Sequence, residues 1–458
     1  MSDLLLSVSG ARGIVGESMT PAVARDIAKS FGSHLIELGG KTHPTLLIGR
    51  DTRPSSPMLA KAAADGLRDL GCEVVQLGVV ATPTVAVMVS HRNAAGGLVI
   101  TASHNPVEYN GLKCLNARGI APPPGDVEKV VRRFRSRSFG PPATTARPAM
   151  TLDETGNQTH VTRVLANIDA TAIQAARLTV VLDSANGAGG QAARMLLEAL
   201  GCHVIHLNAE PTGRCPHGLE PIGPNLAQLA QETAAHAAAV GFGLDLDADR
   251  MALVDETGTI VGEEYTLLLA AKRLLDLYGG ATVVVNLSTS RMIDDVVAEY
   301  PDAAVVRTAV GEANVAAAMV ETGALVGGEG NGGVIFPPVC WVRDSLSAMG
   351  LTLSLLAADG APLSAVLKGL PRYTMLKHRF ELDGLGGLDA VGHILARVKE
   401  HYRDRDVNTD DGVRIDFADG WAHLRASNTE PIVRLLVEAR TPQRARALSD
   451  EVAAAAGL

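Results

Sequence analysis

Asp245-Leu246-Asp247-Ala248-Asp249-Arg250 sets three carboxylates at alternate positions, directly after the apolar, glycine-rich run Val240–Leu244. Alternate side chains of an extended segment share a side, so the three are predicted to face one point. Such a like-charge cluster is costly unless a cation joins it. Hard oxygen ligands favour a hard divalent cation such as Mg²⁺. Glu256 falls at the twelfth position of an EF-hand loop, but Arg250 stands where that loop needs glycine, and strands rather than helices are expected on both sides. The plainer alternative is a solvated acidic turn, and the apolar run leading into the motif argues against it.

A second reactive segment is Thr101-Ala102-Ser103-His104-Asn105-Pro106, which follows the apolar run 97–100. It presents the Ser103 hydroxyl on a tight loop at the end of a buried strand. No G-x-S-x-G elbow surrounds Ser103 and His104 is its direct neighbour, so a hydrolase triad is not indicated. A serine that carries a phosphoryl group beside a metal needs no triad. Lys113, ten residues on, is a candidate proton carrier or phosphate partner. Arg425-Ala426-Ser427-Asn428-Thr429-Glu430-Pro431-Ile432-Val433-Arg434 gathers two arginines, two hydroxyls and an amide around a turn. Bidentate arginines with loop hydroxyls and N–H groups make an anion cradle. Glu329-Gly330-Asn331-Gly332-Gly333 offers a carboxylate and an amide suited to sugar hydroxyls. Arg12, in Ser9-Gly10-Ala11-Arg12-Gly13, is a further candidate phosphate contact.

These loops require strands that end in one place. Leu67 to Leu77 resembles Leu197 to Leu207; both read as the end of an amphipathic helix, a glycine stop and a buried strand. Each copy follows a strand and loop, 46–51 in one and 180–187 in the other, and 283–288 opens a third region in the same way. Short strand–helix–strand links imply parallel pairing and right-handed crossovers. The expected fold is therefore α/β: three related domains with mixed, largely parallel sheets, plus a C-terminal α+β domain, around a central cleft. The expected limits are 1–148, 149–257, 258–370 and 371–458, with the proline-rich stretch 139–148 as the first linker. Ligands of open α/β sheets sit at the carboxyl ends of parallel strands, and the serine, aspartate and glutamate loops each follow such a strand.

The 458 residues exceed a single core, and the net charge of −9 argues against a nucleic-acid or acidic-membrane surface. Five scattered cysteines form no C-x-x-C pair, and the N-terminus lacks a signal-peptide pattern. A cytoplasmic chain with neither membrane nor nucleic-acid partner is expected, as monomer or homodimer.

Taken together, and in this order along essentially the whole chain, these motifs resemble the α-D-phosphohexomutase superfamily. The segments 49–51, 110–113 and 183–189 match it as well. The resemblance implies a phosphorylated Ser103 as phosphoryl donor and acceptor, with Mg²⁺ on Asp245, Asp247, Asp249 and the phosphoserine. It implies that Arg12, Lys113 and Arg250 assist phosphoryl and proton transfer. Glu329 and Asn331 would hold sugar hydroxyls, and Arg425, Ser427, Asn428, Thr429 and Arg434 would grip the non-reacting phosphate. A hexose bisphosphate would serve as intermediate and activator, and a hexose phosphate or amino-hexose phosphate as substrate. Two positions depart from many relatives: Asn331 replaces serine, and Glu312 follows Gly311 where some carry histidine. The first leaves the hexose open, and the second leaves one acid/base group open. Glu-Gly-Asn-Gly-Gly with Val310 to Val315 resembles the archaeal-type phosphoglucosamine mutase branch most. The expected activity is a phosphohexomutase acting on glucosamine phosphate. The alternatives are a phosphomannomutase/phosphoglucomutase, a Mg²⁺-dependent sugar phosphatase, or a sugar-phosphate binding protein.

Overall fold

The structure, a computed structural model, describes residues 4–7, 10–40, 43–140, 147–382, 389–427 and 432–458. Three of its four sheets share one plan. In the first, Thr45–Arg50 pairs in parallel with Glu73–Val79 on one side and Gly96–Ile100 on the other, and Tyr109–Asn116 returns antiparallel. In the second, Thr179–Asp183 lies between His203–Leu207 and Val240–Leu244, with Met251–Asp255 antiparallel. In the third, Thr282–Asn286 lies between Ala304–Thr308 and Val326–Glu329, with Gly333–Ile335 antiparallel. The chain thus forms four domains of helices and strands, three of them on mixed sheets. The likeness of 67–77 to 197–207 is one structural step made twice. A helix (Ser56–Asp69; Gly190–Ala199) ends at a left-handed glycine (Gly71, φ 82°; Gly201, φ 72°), then a parallel strand begins.

Additional strands extend the first sheet. Leu5–Ser7 and Gly10–Ile14 add antiparallel next to Tyr109–Asn116, which brings Arg12 opposite Gly111. Met150–Leu152 pairs with Glu73–Val79 at the far edge, so this sheet takes its last strand from beyond residue 148. The fourth sheet is wholly antiparallel, in the spatial order Thr374–Glu381, Ile432–Ala439, Gly420–Ala426, Val413–Phe417, Asp406–Asn408. Helices Asp389–His401 and Pro442–Ala456 pack with it, the latter capped by the Thr441 side chain on Arg444 N–H.

One apolar core runs from Leu47 to Leu370 through the first three domains, whereas the fourth has a core of its own. The helix Ser345–Asp359 is central to the shared core. It is buried from Ser345 to Leu356 and packs against Glu264–Tyr278, Gly156–Leu165 and Ala170–Ala176. Its start is fixed by Asp344, whose carboxylate accepts from Leu346 N–H (3.0 Å) and Ser347 N–H (3.1 Å). The same carboxylate meets His160 Nε2 at 3.1 Å, and His160 Nδ1 meets Thr84 Oγ1 at 2.9 Å. One buried chain of polar contacts therefore ties three domains. Among the described residues no helix is long and apolar enough to cross a membrane.

Replacing Asp344 with alanine removes a helix cap and leaves the buried His160 Nε2 without its carboxylate partner. We expect a cost of about 3 kcal/mol, read as a lowered thermal midpoint; an unchanged midpoint would refute this account of the junction.

Candidate active site

The loop after the third strand of each mixed sheet opens toward a common cleft. Its volume is about 730 Å³, and Arg12, His104, Arg250, Glu329, Arg425 and Arg434 all line it. The serine loop follows Gly96–Ile100, the aspartate loop follows Val240–Leu244, and Glu329 ends the strand Val326–Glu329.

The aspartates do not converge by strand alternation. Residues 245–250 form a tight turn between antiparallel strands: Asp245 N–H donates to the Arg250 carbonyl at 3.3 Å, and Ala248 N–H to the Asp245 carbonyl at 3.1 Å. Ala248 takes a left-handed φ of 52°. The turn, rather than a period of two, brings one oxygen of each carboxylate within 4.8 Å of the others. All three side chains are wholly buried.

Their charge is met from three domains. Lys113 Nζ donates to Asp247 Oδ2 (2.8 Å) and Asp249 Oδ2 (2.9 Å). Arg343 Nη2 donates to Asp249 Oδ2 at 2.7 Å, and Thr82 Oγ1 to Asp247 Oδ2 at 2.6 Å. Arg250 meets Asp245 Oδ2 at 3.4 Å. Burial and the neighbouring Asp249 and Asp247 push the Asp245 carboxyl well above the ordinary range. Burial would also raise Asp249, but Arg343, Lys113 and Arg250 hold it well below. Burial works against the charge of Lys113, yet Asp247 and Asp249 keep its ammonium above its usual pKa. Asp247 Oδ1 and Asp249 Oδ1 are buried and accept no hydrogen bond. Two orphaned carboxylate oxygens beside a third, repelled carboxylate are what a hard divalent cation satisfies, so the donor set fits one.

Ser103 meets this cluster directly. Its Oγ donates to Asp245 Oδ2 at 2.8 Å and lies 3.4 Å from Arg250 Nη2. The residue holds a left-handed φ of 51°, sparse for a residue with a Cβ. Arg12 Nη1 donates to Asn105 Oδ1 at 2.9 Å on the same loop.

Glu329 is heavily engaged. Oε1 accepts from Asn286 Nδ2 (2.8 Å) and Gly311 N–H (3.0 Å), and Oε2 from Arg343 Nη1 (2.7 Å) and Asn331 Nδ2 (3.3 Å). Asn331 Oδ1 is buried with no partner. Glu312 turns to Arg343, accepting from its N–H (3.1 Å) and Nε (2.9 Å). On the far wall, Arg425 and Arg434 are direct cross-strand partners, and Arg425 Nε donates to Asp411 Oδ2 at 3.1 Å. Ser427 closes that hairpin through its N–H to the Ile432 carbonyl at 2.9 Å. Asn428 and Thr429 lie outside the described residues.

Several participants carry no sequence signal. Arg343, which joins Asp249, Glu329 and Glu312, is a lone arginine between Val342 and Asp344. Thr82 belongs to a helix start in another domain, and Glu220, 3.2 Å from Arg250 Nη1, to a long loop. Beside the cleft, His217 Nε2 lies 3.0 Å from Asp183 Oδ2, and its ring nitrogens lie 3.3 and 3.4 Å from Cys215 Sγ. The bond to Asp183, then that to Cys215, pushes His217 up to about 10.

A raised histidine stabilises the fold fully below its unfolded value of about 6.5. That contribution is lost as pH climbs toward about 10. We therefore expect His217→Gln to flatten the decline of thermal midpoint across this alkaline window; parallel curves for the two proteins would contradict it.

Comparison with known proteins follows the same division. Residues 4–140, 158–258 and 262–373 match the phosphoglucomutase/phosphomannomutase alpha/beta/alpha domains I, II and III, and 387–455 match that family's C-terminal domain. A Methanopyrus kandleri protein named "Probable phosphoglucosamine mutase" is 38% identical over 444 residues, covering 97% of this chain and 95% of that one. A Thermococcus kodakarensis "Phosphoglucomutase/phosphomannomutase" is 36% identical over 452 residues, 96% of each. The crystal structure of a phosphoglucomutase/phosphomannomutase family protein from Burkholderia thailandensis superimposes with a TM-score of 0.86 at 29% identity, covering 99% of this chain and 97% of that one.

Proposed function

The chain belongs to the phosphoglucomutase/phosphomannomutase family, and from that premise we propose that it interconverts hexose 6-phosphate and hexose 1-phosphate with Ser103 as phosphoryl carrier. The observation that carries this reading is the pairing of two anion sites across one cleft. Ser103 Oγ, bonded to Asp245, sits just behind the wall that Arg12, His104 and Arg250 line, and the registered arginines Arg425 and Arg434 line the opposite one. A phosphatase needs only the first site; a mutase must hold one phosphate while the other moves.

Phosphorylated Ser103 gives its phosphoryl group to the free hydroxyl of a bound hexose phosphate. The hexose bisphosphate turns over, and the other phosphate returns to Ser103 Oγ. Asp245, Asp247 and Asp249, with the phosphoserine, would hold Mg²⁺, whose contribution when bound is to neutralise charge on the transferring phosphoryl oxygens. Lys113, which donates to Asp247 and Asp249, assists phosphoryl and proton transfer beside Ser103. Arg12 and Arg250 flank the serine and steady the same charge. Arg425 and Arg434, with Ser427, Asn428 and Thr429, grip the resting phosphate, so either end of the bisphosphate can occupy the cradle. Glu329 and Asn331, both of which line the cleft, orient the sugar. We assign glucosamine phosphate as preferred substrate of a cytoplasmic enzyme, on the Glu-Gly-Asn-Gly-Gly loop and the Methanopyrus relative. The Thermococcus relative supports glucose or mannose phosphate as the second reading.

Ser103→Ala is expected to lose at least about 3 kcal/mol of transition-state stabilisation, roughly a hundredfold or more in kcat/KM; near-normal turnover would sink the assignment. Turnover of glucosamine, glucose and mannose phosphates is to be measured side by side with Mg²⁺ and a trace of hexose bisphosphate. Preference for glucosamine phosphate is expected, and faster turnover of either neutral hexose would remove it. Inorganic phosphate released faster than isomer forms would favour a phosphatase.

A further inference from the structure

Arg53 lies outside the cleft and is wholly buried. Its Nε donates to Asp51 Oδ2 at 3.1 Å. Nη1 donates to the carbonyls of Pro106 (2.8 Å) and Tyr109 (3.2 Å), and Nη2 to those of Ser103 and Asn105, both at 2.6 Å. A guanidinium has five N–H donors in a rigid plane, and here all five are spent, three of them on carbonyls of the loop that bears Ser103 and one on the first residue of the strand that follows it. Asp51 fixes the fork from behind. Its Oδ1 accepts from Arg53 N–H (3.0 Å) and Ser56 Oγ (2.5 Å), and Ser56 Oγ accepts from Asn110 Nδ2 (3.0 Å) at the loop's other end.

The consequence is directional. The Ser103 carbonyl is drawn inward to Arg53 while its Oγ turns outward to Asp245, and the residue holds the left-handed φ of 51° between the two pulls. A non-glycine residue persists there only where its surroundings over-determine it. Asn105, whose carbonyl also rests on Arg53, presents its side-chain oxygen to Arg12. The orientations of the serine and of one cleft cation thus pass through a single buried plane. Lysine, with three donors on one flexible atom, cannot span four carbonyls and a carboxylate.

We propose that Arg53 is a positioning residue for phosphoryl transfer: it sets Ser103 Oγ toward the aspartate turn and Asn105 toward Arg12 without touching substrate. The proposal rests on the reading of Ser103 as phosphoryl carrier.

The test compares the full-length wild type with Arg53→Lys and Arg53→Ala. Turnover is followed with the best hexose phosphate, Mg²⁺ and hexose bisphosphate, and intact mass reports phosphate on Ser103 after exposure to hexose bisphosphate. Misplacing a reacting group by about 1 Å costs on the order of a hundredfold. We therefore expect kcat of Arg53→Lys to fall about a hundredfold, with KM nearly unchanged and Ser103 phosphorylation slowed in parallel. Millimolar guanidinium ion, which can occupy the vacated plane, is expected to restore kcat to Arg53→Ala but not to Arg53→Lys. Wild-type kcat in Arg53→Lys, or a change confined to KM, would overturn the proposal. So would loss of folded structure by circular dichroism in both variants, which would make the clamp a stability element only. A wild type that neither turns over hexose phosphate nor takes phosphate on Ser103 would instead sink the parent reading, and this one with it.

Discussion

Three carboxylates of one turn, all without solvent exposure, repel one another, and the surrounding structure is arranged to make that repulsion tolerable. Lys113 comes from the first domain's antiparallel return strand, Thr82 from a helix start in the same domain, and Arg343 from the segment that enters the third domain's buried helix. An unpaired charge left in such a place costs several kcal/mol. The aspartate turn is therefore a constraint on how three domains dock and not a local feature of one. Its remaining imbalance is concentrated on Asp245, the one aspartate that receives the Ser103 hydroxyl.

The apolar architecture matches that electrostatic need. Because the three mixed sheets repeat one strand order, the loop after the third strand comes to the same relative place in each domain. A continuous core from Leu47 to Leu370 then fixes those loops against one another. Stiffness of this kind suits the proposed holding of phosphoryl oxygens and a cation at fixed distances.

The fourth domain is joined differently. It keeps a separate core and meets the third through polar contacts: Ser288 Oγ with His423 Nδ1 at 2.9 Å, Arg291 Nη2 with Asp416 Oδ1 at 2.7 Å, and the N–H of Arg291 with Glu438 Oε1 at 3.0 Å. Interfaces of this polar sort permit relative domain motion more readily than a shared apolar core does. The proposed phosphate cradle on this domain would be well served by such a joint, since in the proposed reaction it releases one end of a bisphosphate and accepts the other.

The local chemistry was legible in the amino-acid order because each loop is contiguous. A serine after a buried strand, three alternate aspartates, a Glu-Gly-Asn run and two arginines around a turn all sit within a few residues, and the glycine stops at Gly71 and Gly201 mark the repeat. Alternation was the wrong reason for the aspartates' convergence. Extended backbone and a tight turn can present the same three side chains to one point, and only the hydrogen bonds from Asp245 to Arg250 distinguish them. Thr82, Glu220 and Arg343 were illegible for a different reason. Each is a single residue whose importance comes from partners 30 to 165 positions away, and a lone arginine or threonine has no pattern along the chain. Sequence determines which groups are available and which short loops bear them. Tertiary structure decides which distant charges compensate them, because compensation depends on distance in space and on exclusion of water, and neither is a property of neighbours along the chain.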